Sequence, residues 1–394
     1  MRAAAGALRA LRRLELSEIY DIAVVGSGFA GSLLAMIARQ LGRSVILIEK
    51  GTHPRVVIGE SSTPLSNLLL EELTTRYGLP ELRPLAKWGS WQLAHPQVAC
   101  GLKRGFTFHH HALGAPSSAD PERQDQLLVA ASPRDEIADT HWYRADFDYL
   151  LVREAQRLGV AYVDRVALRR FRDGGETVKL EGERDGRNVQ FHARFVVDAT
   201  GPRGFLHHAL GLRELELPAY PRTQGLYSHF SGVGRLDGTS CSRTDEPPPF
   251  PIDDAAVHHV FDGGWIWVLQ FNNGVTSAGV AATDELASQL RFGDGAEAWR
   301  RVVDLVPCLK QQFAKAEANT SFAVGCFFMA RNSGVSSNVR RRTKIRGMIR
   351  QPMKNGIRQP QAATVSAGII SLSAKPMSEA TKIATCWLED WKDV

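Results

Sequence analysis

The chain has 394 residues, 48 Lys and Arg against 42 Asp and Glu, a net charge of +6 and 44% hydrophobic residues. These values are those of a soluble globular protein long enough for two domains, and no run of 18 or more apolar residues exists to cross a membrane as a helix. Five scattered cysteines (Cys100, Cys241, Cys308, Cys326, Cys386) with no C-x-x-C pair argue for a reducing, cytoplasmic setting with neither a disulfide framework nor a zinc site.

The N-terminal stretch MRAAAGALRALRRL carries four arginines and no acid before Glu15. It lacks both the apolar core of a secretory signal and the serines of a transit peptide, so residues 1–17 read as a short frayed extension. Residues 20–50, YDIAVVGSGFAGSLLAMIARQLGRSVILIEK, are far more informative. A buried strand, Tyr20 to Val25, is followed by a Gly-x-Gly-x-x-Gly turn formed by Gly26, Gly28 and Gly31. A helix from about Ala30 to Leu41 is stopped by Gly42, and a second strand, Ser44 to Ile48, ends in Glu49. This spacing predicts a dinucleotide site. The glycines allow the tight turn, the approach of a pyrophosphate and close packing of helix on strand, and the helix start faces the phosphates. Glu49 is placed for the ribose hydroxyls of an adenosine and against a 2′-phosphate.

Residues 52–139 show no second parallel strand and read as an insertion. A helix headed by Arg144 places Phe147, Leu150, Leu151 and Ala155 on one face, and a short strand follows it. Residues 166–195 suit antiparallel hairpins turning at Asp173-Gly174-Gly175 and Asp185-Gly186. The strand FVVDATG, Phe195 to Gly201, offers a second backbone approach to the cofactor. Further strands are expected near Thr223 to Phe230, Val257 to Phe261, Trp265 to Phe271 and Gly274 to Ala282, with a loop at Pro247, Pro248, Pro249 and Pro251.

GSGFAG, Glu49, IGESSTP (Ile58 to Pro64), Arg144 and DATG together resemble the FAD-dependent aromatic hydroxylase superfamily. GLKRGFTFHHH (Gly101 to His111) and GGWIWVLQFNNG (Gly263 to Gly274) narrow the resemblance to the flavin-dependent halogenases, the group that includes tryptophan halogenases, over about residues 18–330. The resemblance implies an α/β fold: a Rossmann-like FAD-binding domain of the p-hydroxybenzoate hydroxylase type (18–51 and 140–210), interleaved with a mostly antiparallel β-sheet substrate domain (52–139 and 211–330). It implies FAD reduced by a separate reductase, a halide ion, and a small aromatic or carrier-bound substrate. Reduced FAD and oxygen would give a flavin hydroperoxide, which halide attacks to give hypohalous acid, and a lysine would relay the oxidant to the ring. The cofactor-binding residues implied are Gly26, Gly28, Phe29, Ala30, Gly31, Glu49, Lys50, Ser61, Arg144, Asp198 and Gly201.

Lys103, five residues before Phe108, has the spacing of the family's lysine, and Lys87 in KWGSW competes with it. On a continuous strand Lys103 would share a face with Gly105 and Thr107, opposite Phe106 and Phe108. Phe108, Trp265 and Trp267 are the expected substrate-binding residues. Trp265-Ile266-Trp267 matches the first half of the family's Trp-x-Trp-x-Ile-Pro motif, whereas Leu269 and Gln270 depart from it. His109, His110 and His111 are consecutive, so no metal site is expected of them.

Residues 331–394 hold 12 Lys and Arg against 4 acids, and the family's flavin-facing C-terminal segment has no counterpart there. The change of composition reads as an aberrant, disordered tail, and no nucleic-acid partner is expected of it. A hydroxylating monooxygenase, or an inactive flavin-binding homologue, is the alternative that these departures leave.

Overall fold

The computed structural model describes residues 19–115, 124–201, 204–212, 222–239 and 247–327, so the expected extension and basic tail lie outside the described residues. Two compact units divide the chain. Of the described residues, one takes 19–53 and those from 150 to 212, and the other takes 54–149 and those from 222 to 327.

The first unit opens with β1 (Ile19–Val25), α1 (Phe29–Gln40) and β2 (Val45–Ile48). The chain then passes into the second unit through α2 (Pro64–Arg76), α3 (Trp88–Ala94), β3 (Cys100–Lys103), β4 (Gly105–His110), β5 (Gln126–Ala130) and β6 (Asp139–Trp142). It returns along α4 (Arg144–Arg157) to β7 (Ala161–Val163), β8 (Val166–Asp173), β9 (Val178–Arg184), β10 (Arg187–Asp198) and α5 (Phe205–Ala209). The second unit is completed by β11 (Thr223–Ser231), β12 (Ala256–Phe261), β13 (Gly264–Gln270) and β14 (Thr276–Thr283), then α6 (Asp284–Gln289), α7 (Ala296–Asp304), α8 (Pro307–Gln312), β15 (Glu317–Ala318) and β16 (Ala323–Phe327).

In the first unit a six-stranded sheet runs β7-β2-β1-β10-β9-β8. β2 reads VILI and is buried throughout, as a strand covered on both faces must be. Each such side chain contributes about 1.5–3 kcal/mol on burial. β10 is a single twelve-residue strand, where the sequence reading separates a hairpin from FVVDATG. Its first half pairs antiparallel with β9 and its second half parallel with β1, so one strand serves both the hairpins and the cofactor turn.

The second unit is built on the sheet β15-β11-β14-β13-β12-β4-β5, with β16 also on β11. One face, carrying Leu226, Phe230, Ile266, Val268, Ala278 and Val280, packs with Trp299, Leu309 and Phe313 into a core. A separate pair, β3 and β6, stands apart from this sheet. α2 begins where IGESSTP ends. Thr63 caps it by accepting from Ser66 N at 3.1 Å, and Pro64 opens its first turn. The fold is thus a Rossmann-like unit interleaved with a mostly antiparallel one.

Candidate active site

At the dinucleotide turn, Gly26 adopts φ +98°, and a Cβ there would lie 2.6 Å from Ala199 O. A Cβ on Gly31 would lie 1.9 Å from Gly26 O, so α1 packs on the turn only because that residue is glycine. Gly28 is the N-cap of α1, no side chain caps the helix, and its first turn holds no acid. Gly28 and Phe29 are half-buried and Ala30 is exposed, leaving the helix start open to an anion. Glu49, 8% exposed, accepts from Ser27 N at 2.9 Å, Ser27 Oγ at 2.8 Å and Gly51 N at 2.9 Å. Ser27 Oγ also lies 2.8 Å from His53 Nε2. An open, uncapped helix start on a glycine turn, with a buried carboxylate beside it, is a donor and acceptor set that fits the adenosine pyrophosphate half of FAD. Lys50 is exposed.

The DATG segment is organised by its own acid. Asp198 accepts from Thr200 N at 3.0 Å and from Leu206 N at 2.6 Å, which ties the turn to the start of α5. Gly201 is exposed with φ +87°, a backbone conformation that calls for glycine, and among the described residues nothing lies near its Cβ position.

In the second unit Arg144 grips Asp148 bidentately, at 2.7 and 2.8 Å, and donates to Ile58 O and Gly59 O. Arg55 lies 3.8 Å from the same, fully buried, carboxylate. Arg144 therefore fixes the IGESS loop. Ser61 in that loop bridges to His141 on β6, and Ser62 Oγ donates to Thr140 O at 2.7 Å.

Lys103 is 1% exposed. Its Nζ donates to Ser62 O and lies 4.1 Å from the centre of the Phe106 ring. This overturns the expectation that Lys103 points away from the phenylalanines. The chain leaves the β3–β6 pair at Arg104 and enters the large sheet at Gly105, so the alternation of a single strand does not carry across. Arg104 is held at this corner through Ser132 O and Pro133 O. Lys103 is the register partner of Asp139, which is 3% exposed, accepts from Asn67 Nδ2 at 2.8 Å and lies 3.9 Å from Lys87 Nζ. Burial lowers the Lys103 amine to about 8, with Asp139 opposing the shift. Burial, and then the Lys103 charge, push His141 down to about 3.

Phe108, His258 and Trp267 stand side by side on three neighbouring strands, and Gly279 and Tyr227 continue the row. Phe108 stacks on His258 at 4.9 Å. The Trp267 ring occupies the space over Gly279, where a Cβ would lie 2.4 Å from it. Trp265 shares this face, opposite the core, by strand alternation. Phe106, Phe108, Trp265, Trp267, Tyr227 and His258 are all half-buried, so this side of the sheet is an aromatic surface. Of its members the sequence reading named Phe108, Trp265 and Trp267. It missed His258 and Tyr227, which only strand register brings to them, and also Asp139, whose one signal is an acid in an otherwise buried strand.

On the opposite face His111 Nε2 lies 2.9 Å from His259 Nδ1, and Cys308 Sγ is within 4.8 Å of both. Cys308 is in a disulfide and has no thiolate to give a metal. Burial holds His111 down to about 4 and His259 well below the usual imidazole range, so the pair is neutral. A disulfide at Cys308 is not signalled by the scattered cysteines of the sequence. Residues distant in sequence meet in the fold, which spacing rules do not see. Among the described residues no helix is long and apolar enough to cross a membrane.

The tetracycline 7-halogenase of Kitasatospora aureofaciens is 32% identical over 256 residues, covering 64% of this chain and 44% of the relative. The monodechloroaminopyrrolnitrin halogenase PrnC of Pseudomonas fluorescens is 31% identical over 261 residues, covering 65% and 43%. The chain thus spans less than half the length of these two relatives. The solved structure of halogenase PltM in complex with phloroglucinol and FAD aligns with a TM-score of 0.67 at 24% identity, covering 78% of this chain and 60% of that one, a likeness of fold. The model of the FAD dependent oxidoreductase family matches residues 21–328, and with the glycine turn, the uncapped helix and the buried acid at the end of β2 this chain belongs to that family.

Proposed function

We propose that this chain is a flavin-dependent halogenase that acts on an electron-rich aromatic ring. The observation that carries the reading is the pairing of two lysines about one buried acid, Asp139, beside an aromatic sheet face. Bound FAD, once reduced, would supply with oxygen the oxidising equivalent that turns halide into an electrophile, and a separate reductase is its expected source of electrons. Gly26, Gly28, Phe29, Ala30 and Gly31, with Glu49, are the residues to hold its adenosine half. Lys50, Ser61, Arg144, Asp198 and Gly201 complete the proposed cofactor set. Arg144 would act mainly by fixing the IGESS loop, and Asp198 by shaping its own turn.

The two lysines divide the work. Lys103 is enclosed by the Ser62 carbonyl and the Phe106 ring, with Asp139 as its partner in the β3–β6 register, which suits a fixed positive charge. The Lys87 side chain is 35% exposed and only loosely paired, so its amine is the one open to a diffusing oxidant. Phe108, Trp265 and Trp267 would hold the ring by stacking, each well-placed aromatic pair adding about 0.5–1.5 kcal/mol beyond area burial.

The test is direct. Purified protein mixed with FAD is expected to retain a flavin absorbance band after desalting. With reduced FAD, oxygen, chloride or bromide and phloroglucinol as trial ring, mass spectrometry is expected to find a halogenated product. Hydroxylated product alone would replace the reading with that of a monooxygenase, and failure to bind flavin would remove both.

A further inference from the structure

Glu60 and His229 are not used by the reaction proposed above, yet their side chains are buried together at 1% and 3% exposure, with Glu60 Oε1 2.7 Å from His229 Nε2. The outer atoms of the pair, Glu60 Oε2 and His229 Nδ1, are buried and have no hydrogen-bond partner among the described residues. With Nε2 donating to Oε1, the second carboxylate oxygen Oε2 remains an acceptor that calls for a donor. A buried acceptor left without one is costly, which marks a place where a donor from outside the chain belongs.

The surroundings say what carries that donor. His229 lies two residues from Tyr227 on β11 and pairs with Ser277, while Tyr227 pairs with Gly279 beneath Trp267. The pair therefore stands on the aromatic face, one step along from the Trp267–Tyr227 row. The Tyr143 ring meets His229 edge-on at 6.0 Å. Tyr143 and Tyr227 are half-buried, and both phenols are held above their usual range, first by burial and then by nearby acids that include Glu60. The carboxylate thus lies behind two partly exposed aromatic side chains.

We propose that Glu60, oriented by His229, is a specificity-determining acceptor for a ring hydroxyl or ring N–H of an aromatic molecule lying on this face. The proposal rests on the reading of that face as the substrate surface. A phenol or pyrrole would satisfy the orphan oxygen. The corresponding ether would leave it unpaired, and an anionic ring would meet like charge.

Equilibrium dialysis of the full chain, without FAD or halide, tests this with 4-cyanophenol and its methyl ether at pH 6.5, where the phenol is neutral. The phenol is expected to bind roughly ten- to a hundredfold more tightly, the range for a hydrogen bond to a charged group. Glu60→Gln is expected to abolish or reverse the preference, because the amide N–H takes the outer position and donates. His229→Gln, which keeps the carboxylate, is expected to retain most of it, and Trp267→Ala to weaken phenol and ether alike. Equal binding of the two rings by the wild-type chain, or no binding of either, would overturn the proposal whether or not the Glu60 variant folds, as would an unchanged preference in a folded Glu60→Gln protein. Halogenation is not read here, so its failure leaves this result standing.

Discussion

Asp139 is the residue on which most of the candidate site's charge balance depends. It stands between a buried lysine, a half-exposed lysine and Asn67. Removing its charge leaves Lys103 uncompensated in a dry interior, but an amine lowered to about 8 can shed its proton at pH 7, so Asp139→Asn is expected to lose about 1–1.5 kcal/mol through this lysine. The loss should shrink above about pH 8, where the Lys103 amine sheds its proton. Urea unfolding at pH 7 and pH 9.5 measures both. Lys103 has its own signature. Its amine is lowered to about 8 from 10.5, so between those values the unfolded chain binds more protons than the folded one, and stability from this group rises with pH. Lys103→Met is expected to remove that rise, seen as the difference between wild-type and variant unfolding curves across pH 7.5–10, and to leave some halogenation. Lys87→Ala is expected to fold normally and to lose product formation at least a hundredfold in a single-turnover assay. Retained turnover in Lys87→Ala would shift the catalytic role back to Lys103.

Two elements set the geometry more than their neighbours do. The turn between β1 and α1 tolerates no side chain at Gly31, because a Cβ would sit on Gly26 O. Gly31→Ala is therefore expected to fold with a displaced helix start and to retain no flavin band after desalting. The second is β14, where Gly279 leaves space for the Trp267 ring. Gly279→Val would force that ring away at an overpacking cost of about 1–3 kcal/mol, and dialysis should show loss of aromatic binding with flavin retention unchanged. These elements are legible to different degrees. The glycine turn is a local motif whose spacing states its own geometry. Gly279 in TSAGVAAT looks like any small residue until β11 and β13 are laid beside it.

At the scale of the whole chain, each unit has its own core: one around Ile46, Ile48, Leu180 and Phe191, the other around Ile266, Val280, Trp299 and Phe313. Ligand linkage should therefore be visible in unfolding, with FAD at a hundred times its dissociation constant adding about 2.7 kcal/mol. Scanning calorimetry is expected to show the rise in the wild-type chain and none in Gly31→Ala. From sequence alone came the dinucleotide turn, the acid after β2, the four strands β11 to β14 of the large sheet and the aromatic residues of the WIW segment. Each rests on spacing within a few residues, where 2.0 and 3.6 periodicities and glycine conformations act directly. Only the tertiary structure decided that β10 is one strand with two partners, that the chain changes sheets at Arg104, that Asp139 serves two lysines, that Glu60 meets His229 and that Cys308 is in a disulfide. Those contacts join residues far apart in the chain, and their pairing is set by strand register and by the need to satisfy buried charge, which no local pattern records.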